Sequence, residues 1–166
     1  MMVRMNRISF TEGHGDWIPE KVWKRIRRSL PIPCVDIIVE NDEGAIFLGW
    51  RLIEPYVNVW ALPGGRVLRG ERLEVAAKRI LAKNDLRARD LHLVGIFPIR
   101  FATRSDFSVC LAGTFSGGNP RSDGHEFARV KWAKRLPSNI GRNYTRMIHK
   151  WRQLKQLPQA LLFTRL

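Results

Sequence analysis

The sequence predicts an α/β fold, an α/β/α sandwich in which helices cover both faces of a mixed β-sheet. Two observations indicate this class. Strand-like segments lie on both sides of a central amphipathic helix, and a further helix lies near the C-terminal end. This arrangement is typical of helices that pack against a sheet around one core. The length of 166 residues and a hydrophobic fraction of 45% fit a single domain over residues 1–166.

Local patterns justify each element in turn. Residues 34–40 are rich in β-branched side chains, which predicts a strand, and a turn at 41–44 leads into its hairpin partner. From Glu71 onward, apolar residues recur at i, i+3 and i+4, as on an amphipathic helix. The predicted elements, in order, are a short helix within an N-terminal extension (residues 1–30, with Asp16 as cap and Pro19 in the first turn), strands at 34–40 and 45–51, a helix from Glu71 to Asn84 or Asp85, strands at 91–101, 107–115 and 127–133, and a C-terminal helix at 139–156.

The chain carries a large excess of positive charge. Twenty-nine Lys and Arg residues against fifteen Asp and Glu residues give a net charge of +14, and no acidic residue occurs over 127–166. Such a field attracts phosphates, nucleotides, nucleic acid or anionic membrane, although a solvated helix face explains the same charges equally well. The last helix carries only a moderate stripe, because three of its five basic residues cluster and two do not. These five are Arg142, Arg146, Lys150, Arg152 and Lys155.

Cysteine usage and the apolar runs predict a cytoplasmic protein with no membrane partner. Cys34 and Cys110 each lie inside an apolar run, so we expect two buried thiols rather than a disulfide framework. The first residues contain no apolar segment of the signal-peptide kind. No run approaches the length of a membrane span.

One string of residues points to a ligand site. Leu62-Pro-Gly-Gly65 allows a sharp turn and brings the backbone close to a ligand, because glycine has no Cβ. Glu71 follows six residues after Gly65 at the start of a helix, and Arg79 lies about two turns further along. The complete pattern from Trp60, W-x-L-P-G-G-x5-E-x7-R, is far more specific than a lone Gly-Gly before a helix.

This string matches the first two-thirds of the Nudix box, G-x5-E-x7-R-E-U-x-E-E-x-G-U, where U is a large apolar residue. The chain therefore resembles the Nudix hydrolases. It is also similar to their GDP-mannose mannosyl hydrolase branch, because V-D-I-I-V-E-N-x-x-G occurs at 35–44 and E-x-L-E-x-A-x-x-R at 71–79. The resemblance is good over residues 28–86 and looser around Trp132. It implies a Nudix fold and a hydrolase acting on a nucleoside diphosphate sugar.

The resemblance also implies roles for individual residues. Arg51, Arg66 and Asp36 are expected to bind substrate, and Arg79 is expected to serve catalysis. Bidentate arginine suits a diphosphate. Two alternatives stay open: Arg79 could mainly orient neighbouring carboxylates, and Asp36 could be a strand residue that faces solvent. His125 is implied as the general base that activates water, since an imidazole pKa of about 6.5 suits that role, with an ordinary surface histidine as its alternative.

The metal-binding part of the box is degraded. Where the box continues E-U-x-E-E, this chain places Ile80, Lys83 and Asn84 on one helix face. That face normally carries carboxylates for Mg²⁺ or Mn²⁺, which prefer oxygen ligands, and Lys83 would repel such an ion. A Mg²⁺ or Mn²⁺ site is therefore expected to be weak or absent. Its candidate ligands are the carbonyl of Gly64 and the side chains of Asn84, Asp85 and Glu126.

Two hypotheses from different classes follow. The leading one is a Nudix-type hydrolase of a nucleoside diphosphate sugar, similar to GDP-mannose mannosyl hydrolase, with a degenerate metal site. The alternative is a catalytically silent Nudix-fold protein that binds nucleotide or RNA. The expected partners are a nucleoside diphosphate sugar and, more weakly, nucleic acid, and a homodimer is compatible with the sequence.

Overall fold

The observed elements follow the predicted order. The structure is a computed structural model that describes residues 18–157. Its helices are α1 (Glu20–Ser29), α2 (Leu73–Ala82) and α3 (Arg142–Leu154). Its strands are β1 (Ile32–Glu40), β2 (Ile46–Arg51), β3 (Trp60–Ala61), β4 (Gly64–Arg66), β5 (Arg87–Arg100), β6 (Ser105–Gly117) and β7 (Phe127–Ala133).

The strands form one mixed sheet. Its order is β3-β2-β1-β6-β5, with β4 paired to β1 and β7 paired to β2. β1 runs parallel to β6, from the pair Ile32 and Asp106 to the pair Glu40 and Thr114. The other pairings are antiparallel. The predicted mixed sheet is therefore confirmed.

Two helices cover opposite faces of β1. On one face, Gly65 is the strand partner of Val35, and a Cβ at Gly65 would lie 3.3 Å from Ile80 of α2. On the other face, Nε1 of Trp151 in α3 donates to Glu40 at 2.9 Å. Val35 and Glu40 are an odd number of positions apart, so their side chains point to opposite sides of the strand. The α/β/α sandwich is confirmed.

The core lies between these layers. Close packing in the core requires a glycine at position 49, where a Cβ would lie 2.1 Å from the ring of Phe127. Only glycine at 49 lets the buried ring of Phe127, the first residue of β7, pack against β2. On α3, Tyr144, Ile148 and Trp151 form a buried apolar stripe, which explains why this helix packs against the sheet.

The short strands β3 and β4 are additional to the predicted elements, and the other differences from the predictions lie at element ends. β5 begins at Arg87, four residues before the predicted 91, because the extra residues also pair with β6. The predicted cap Asp16 lies outside the described residues. Cys34 and Cys110 are free and buried, as predicted. Within residues 18–157, no helix is long and apolar enough to cross a membrane. One domain over 1–166 extends beyond the described range and stays a prediction.

Candidate functional site

Four of the predicted site residues converge around β1 and β2. Asp36 on β1 is the strand partner of Gly64 on β4. Arg51 is the last residue of β2, and its strand partner on β7 is Phe127, the residue that follows Glu126. The charges of Arg51 and Glu126 both act on the Asp36 carboxyl. The fold therefore assembles residues that are up to 90 positions apart in sequence, since Asp36 and Glu126 share one site.

Glu126 is bound by two cations. Nη1 of Arg51 donates to its Oε1, and Nζ of Lys83 lies 3.7 Å from its Oε2. The side chains of Arg51 and Glu126 are 11% and 12% exposed, whereas that of Lys83 is 45% exposed. Further donors of Arg51 bind the carbonyls of Ile53 at 3.0 Å and Glu54 at 3.2 Å. Arg51 thus faces protein acceptors, and its predicted contact with a diphosphate stays a prediction.

Asp123 fixes the loop that presents Glu126. Its Oδ1 accepts backbone N–H bonds from His125, Glu126 and Phe127 at 3.1, 2.9 and 2.8 Å. Asp123 is not among the predicted site residues, although an aspartate before a glycine is a known signal for such a turn. The His125 side chain is exposed in the same loop. Its role as general base stays a prediction.

Arg79 holds the segment between β4 and α2. Its Nε and Nη2 donate to the two oxygens of Glu71 at 2.7 and 2.8 Å, and Nη2 also donates to the carbonyl of Arg66 at 2.8 Å. The Glu71 side chain is 4% exposed and accepts the N–H of Leu68 at 2.9 Å. These contacts support the alternative in which Arg79 orients a carboxylate, and its catalytic role stays a prediction.

Asp36 is buried, so the solvent-facing alternative is wrong. Its residue exposure is 8%, and its Oδ2 accepts the hydroxyl of Ser108. Burial raises the pKa of Asp36 to about 6, against the lowering effects of the Ser108 hydrogen bond and the Arg51 charge. A Cβ at Gly64 would lie 2.2 Å from Oδ1 of Asp36. Any residue with a side chain is thus excluded at position 64, where glycine makes room for the Asp36 carboxyl group.

Arg66 lies beside the site and faces α1. Its guanidinium stands 4.2 Å from the centre of the Trp23 ring, a favourable cation–π distance. Burial lowers the pKa of Arg66, and the charges of Arg104 and Arg79 lower it further. Within residues 18–157 its guanidinium forms no ion pair with a carboxylate. Among the predicted substrate-binding residues, Arg66 therefore has a cationic group that protein carboxylates do not neutralise.

The predicted metal ligands do not fit a divalent ion. Nδ2 of Asn84 donates to the carbonyl of Arg121 at 3.0 Å, and the Asp85 carboxylate lies 3.8 Å from Nη1 of Arg121. Both Glu126 oxygens face cations, as described above. Across residues 18–157 there is no group of three or more His, Cys, Asp or Glu residues that could hold a metal. The ligand roles of Gly64, Asn84, Asp85 and Glu126 stay predictions that the geometry does not favour.

Sequence comparisons agree with the motif. A family model for the NUDIX domain matches residues 30–135. The chain is 34% identical over 119 residues to a putative 8-oxo-dGTP diphosphatase of Bacillus subtilis, a match that covers 70% of this chain and 76% of that protein. It is 26% identical over 171 residues to an RNA pyrophosphohydrolase of Mesorhizobium japonicum, covering 86% and 88% of the two chains. A 36% match over 63 residues to the low-salt glycan biosynthesis protein Agl8 of Haloferax volcanii covers 38% of this chain and only 40% of that protein.

Solved structures show the same fold. The NUDIX domain of Shewanella oneidensis NrtR, complexed with ADP ribose, matches with a TM-score of 0.64 at 20% identity and covers 75% of this chain and 88% of its own. Likeness at that identity concerns the fold alone, and it confirms the predicted Nudix fold. The family match spans most of the chain, and the matched residues include the Gly-Gly turn, Glu71 and Arg79. The chain therefore belongs to the Nudix hydrolase superfamily.

Proposed function

We propose that the chain binds a nucleoside diphosphate sugar, and that Lys83 supplies positive charge where Nudix enzymes place a metal ion. The main evidence for this proposal is the position of Lys83. It stands where the Nudix box has a glutamate, and its ammonium lies 3.7 Å from Glu126. An ammonium bound to a carboxylate provides a fixed positive charge without a divalent ion. The site would therefore attract phosphate oxygens through side chains of the protein itself.

The exposure of the cations supports this assignment. Lys83 is 45% exposed, so its remaining N–H donors can reach a ligand while one side faces Glu126. Arg66 is half-buried and has no carboxylate partner among residues 18–157. Lys83 follows α2 and Arg66 ends β4, which packs against α2. Two such cations are suited to the two phosphates of a diphosphate. Arg51, which lies behind Glu126, would act as a positioning residue that holds the carboxylate toward Lys83.

Two of the matched proteins have names that agree with this ligand class, whereas the two with the longer sequence matches are named for RNA and for 8-oxo-dGTP. The ligand in the matching NrtR structure is ADP ribose, which is a nucleoside diphosphate joined to a sugar. Agl8 is named for glycan biosynthesis. Both names concern those proteins, and together with the resemblance to GDP-mannose mannosyl hydrolases they make GDP-mannose the first ligand to test.

Titration calorimetry with GDP-mannose tests the proposal. A charge-assisted contact contributes about 1.5–3 kcal/mol, so Lys83→Gln and Arg66→Gln should each weaken binding about tenfold or more. Lys78→Gln is the matched control, because Lys78 is exposed on the same helix and the charge change is identical. Equal affinities for wild type, Lys83→Gln and Arg66→Gln, with each variant folded, would remove both residues from the site.

Hydrolysis of the bound sugar nucleotide is a second candidate function. The observation that favours it is the exposed His125, whose loop is fixed through three backbone bonds to Asp123. A positioned imidazole general base contributes about 10²–10⁴-fold to rate. His125→Gln should therefore reduce sugar release by a factor in that range while leaving GDP-mannose affinity within about threefold. An unchanged rate in this variant would exclude His125 as the base.

The catalytically silent alternative, which includes RNA binding, also has a structural basis. Three basic residues of α3 are exposed together on the face opposite its buried aromatic side chains: Arg142, Arg146 and Lys150. Binding of RNA through them should fall steeply between 50 and 200 mM salt, because each neutralised phosphate releases counterions. Fluorescence anisotropy measures this dependence. No RNA binding at the low-salt limit would contradict this alternative.

A further inference from the structure

A cleft lined by arginines lies at one end of the sheet. It is formed by the end of α1 and by the turn that joins β5 to β6. Its volume is about 570 Å³, which lies within the range of about 300–1,000 Å³ that is usual for small-ligand sites. Among residues 18–157, none of those that line it is acidic. Its basic lining residues are Arg27, Arg28, Arg100 and Arg104.

The positive charge of this cleft is only partly neutralised. Nη2 of Arg104 donates to Asp106 at 2.7 Å, and Arg27 lies 3.8 Å from the half-exposed Glu20. Arg28 and Arg100 have no carboxylate partner in the described part of the chain. Two full charges and two partly compensated charges therefore face one concave surface, which favours an anion with several charges.

The arginines at the base of the cleft are held in place. Arg104 is fixed by Asp106 and by the ring of Phe101, whose centre lies 5.2 Å from its guanidinium. Arg27 lies 5.7 Å from the centre of the Trp23 ring. The Nε atoms of both Arg27 and Arg104 are buried without a hydrogen-bond acceptor among residues 18–157. Buried donors in proteins are usually paired, so a small rotation of either guanidinium onto a ligand oxygen would supply the acceptor that the protein lacks.

The chemistry and shape of the cleft point to phosphate. All four basic groups are guanidinium groups, whose planar fork matches phosphate oxygens in bidentate pairs. A cleft of this volume accepts a short chain of phosphates, whereas a nucleic-acid backbone requires an extended groove or stripe. We propose that this cleft binds a short phosphate chain, such as a triphosphate, at a site separate from Lys83 and Glu126. None of the four arginines contacts Lys83 or Glu126. Arg27 shares the Trp23 ring with Arg66 of the proposed sugar-nucleotide site, so the test below leaves Arg27 unchanged.

Titration calorimetry with inorganic tripolyphosphate tests this proposal on the full chain. The variant is Arg28→Gln/Arg100→Gln, which removes two exposed charges and leaves the held arginines intact. The matched control is Arg87→Gln/Arg135→Gln, which makes the same change in net charge. Arg87 begins β5, at the opposite end from Arg100, and Arg135 follows β7 beside the far end of β1. Thermal unfolding verifies that both double variants are folded.

The proposal expects wild type and the control variant to bind tripolyphosphate with affinities within about twofold, and the Arg28→Gln/Arg100→Gln variant to bind at least about tenfold more weakly. Three results would overturn it: no binding to wild type, no loss in the cleft variant, or equal losses in both double variants. A parallel titration with a single-stranded oligonucleotide gives a fourth result that would overturn it. Oligonucleotide binding that is lost in the cleft variant, without tripolyphosphate binding to wild type, would assign the cleft to nucleic acid instead.

Discussion

Replacing Glu126 with glutamine removes the carboxylate shared by Arg51 and Lys83. Glutamine has nearly the same shape, so the change mainly removes charge. Arg51 is 11% exposed and would keep its bonds to the carbonyls of Ile53 and Glu54. Its positive charge would nevertheless lose the only carboxylate in the described residues that pairs with it directly, in a largely buried position. Lys83 is 45% exposed, so its ammonium can turn to water.

The magnitude follows from these exposures. Removing one partner of a buried ion pair costs about 3–5 kcal/mol, and the retained carbonyl bonds place Glu126→Gln near the low end. The half-exposed contact with Lys83 contributes only about 0.2–1 kcal/mol. We therefore expect a loss of about 3 kcal/mol in the free energy of unfolding. For a chain of this length, that corresponds to a melting temperature about 6–12 °C lower.

Urea unfolding and differential scanning calorimetry measure both quantities. Lys83→Gln serves as the control and should cost no more than about 1 kcal/mol. The double variant Arg51→Met/Glu126→Gln should recover part of the loss, because it no longer leaves a buried charge unpaired. A cost below about 1 kcal/mol for Glu126→Gln would refute the reasoning, since it would mean that Arg51 reaches solvent when the carboxylate is removed.

Three further predictions concern neighbouring residues. Because the pKa of Asp36 rises from 3.8 to about 6 on folding, its protonated form stabilises the folded state at low pH, and this contribution is lost as pH rises through about 6. Urea unfolding between these pH values should show this decline in wild type, and an identical decline in Asp36→Asn would contradict it. Lys83→Glu sets a second carboxylate beside Glu126, so calorimetry should show tighter Mg²⁺ binding than in the matched Lys78→Glu variant; equal binding would rule out a recoverable metal site. Glu71→Gln should lower the free energy of unfolding by about 2 kcal/mol, because Glu71 is 4% exposed and pairs with an arginine, and a change below about 0.5 kcal/mol would show that this pair is not structurally important.

The sequence predicts the elements well where periodicity is strong. α2 and β7 are found close to or at their predicted positions, because apolar spacing and β-branched content report directly on local structure. Strands β5 and β6 are longer than predicted, since the point where a strand ends depends on pairing with a partner strand that the local sequence does not reveal. The Gly-Gly motif and the resemblance to Nudix hydrolases together predict that Asp36, Gly64 and Arg51 lie in one site.

The contacts within the site depend on tertiary placement and could not be predicted. The loop before β7 has no periodicity, so the sequence does not show that Asp123 turns it or that Glu126 meets Lys83. The arginine cleft combines α1 with the turn after Arg100, two segments about 70 residues apart. Charge counting finds the excess of arginine, but only the fold shows which arginines share a surface.

The central claim is that side-chain cations replace the metal ion in ligand binding. Titration of GDP-mannose into wild-type protein, once with excess Mg²⁺ and once with EDTA, tests this claim most directly. If Lys83 supplies the charge, the two dissociation constants should agree within about twofold, since no ion takes part in binding. Binding that requires Mg²⁺ and disappears in EDTA would contradict the claim and would assign the site to a metal-dependent enzyme.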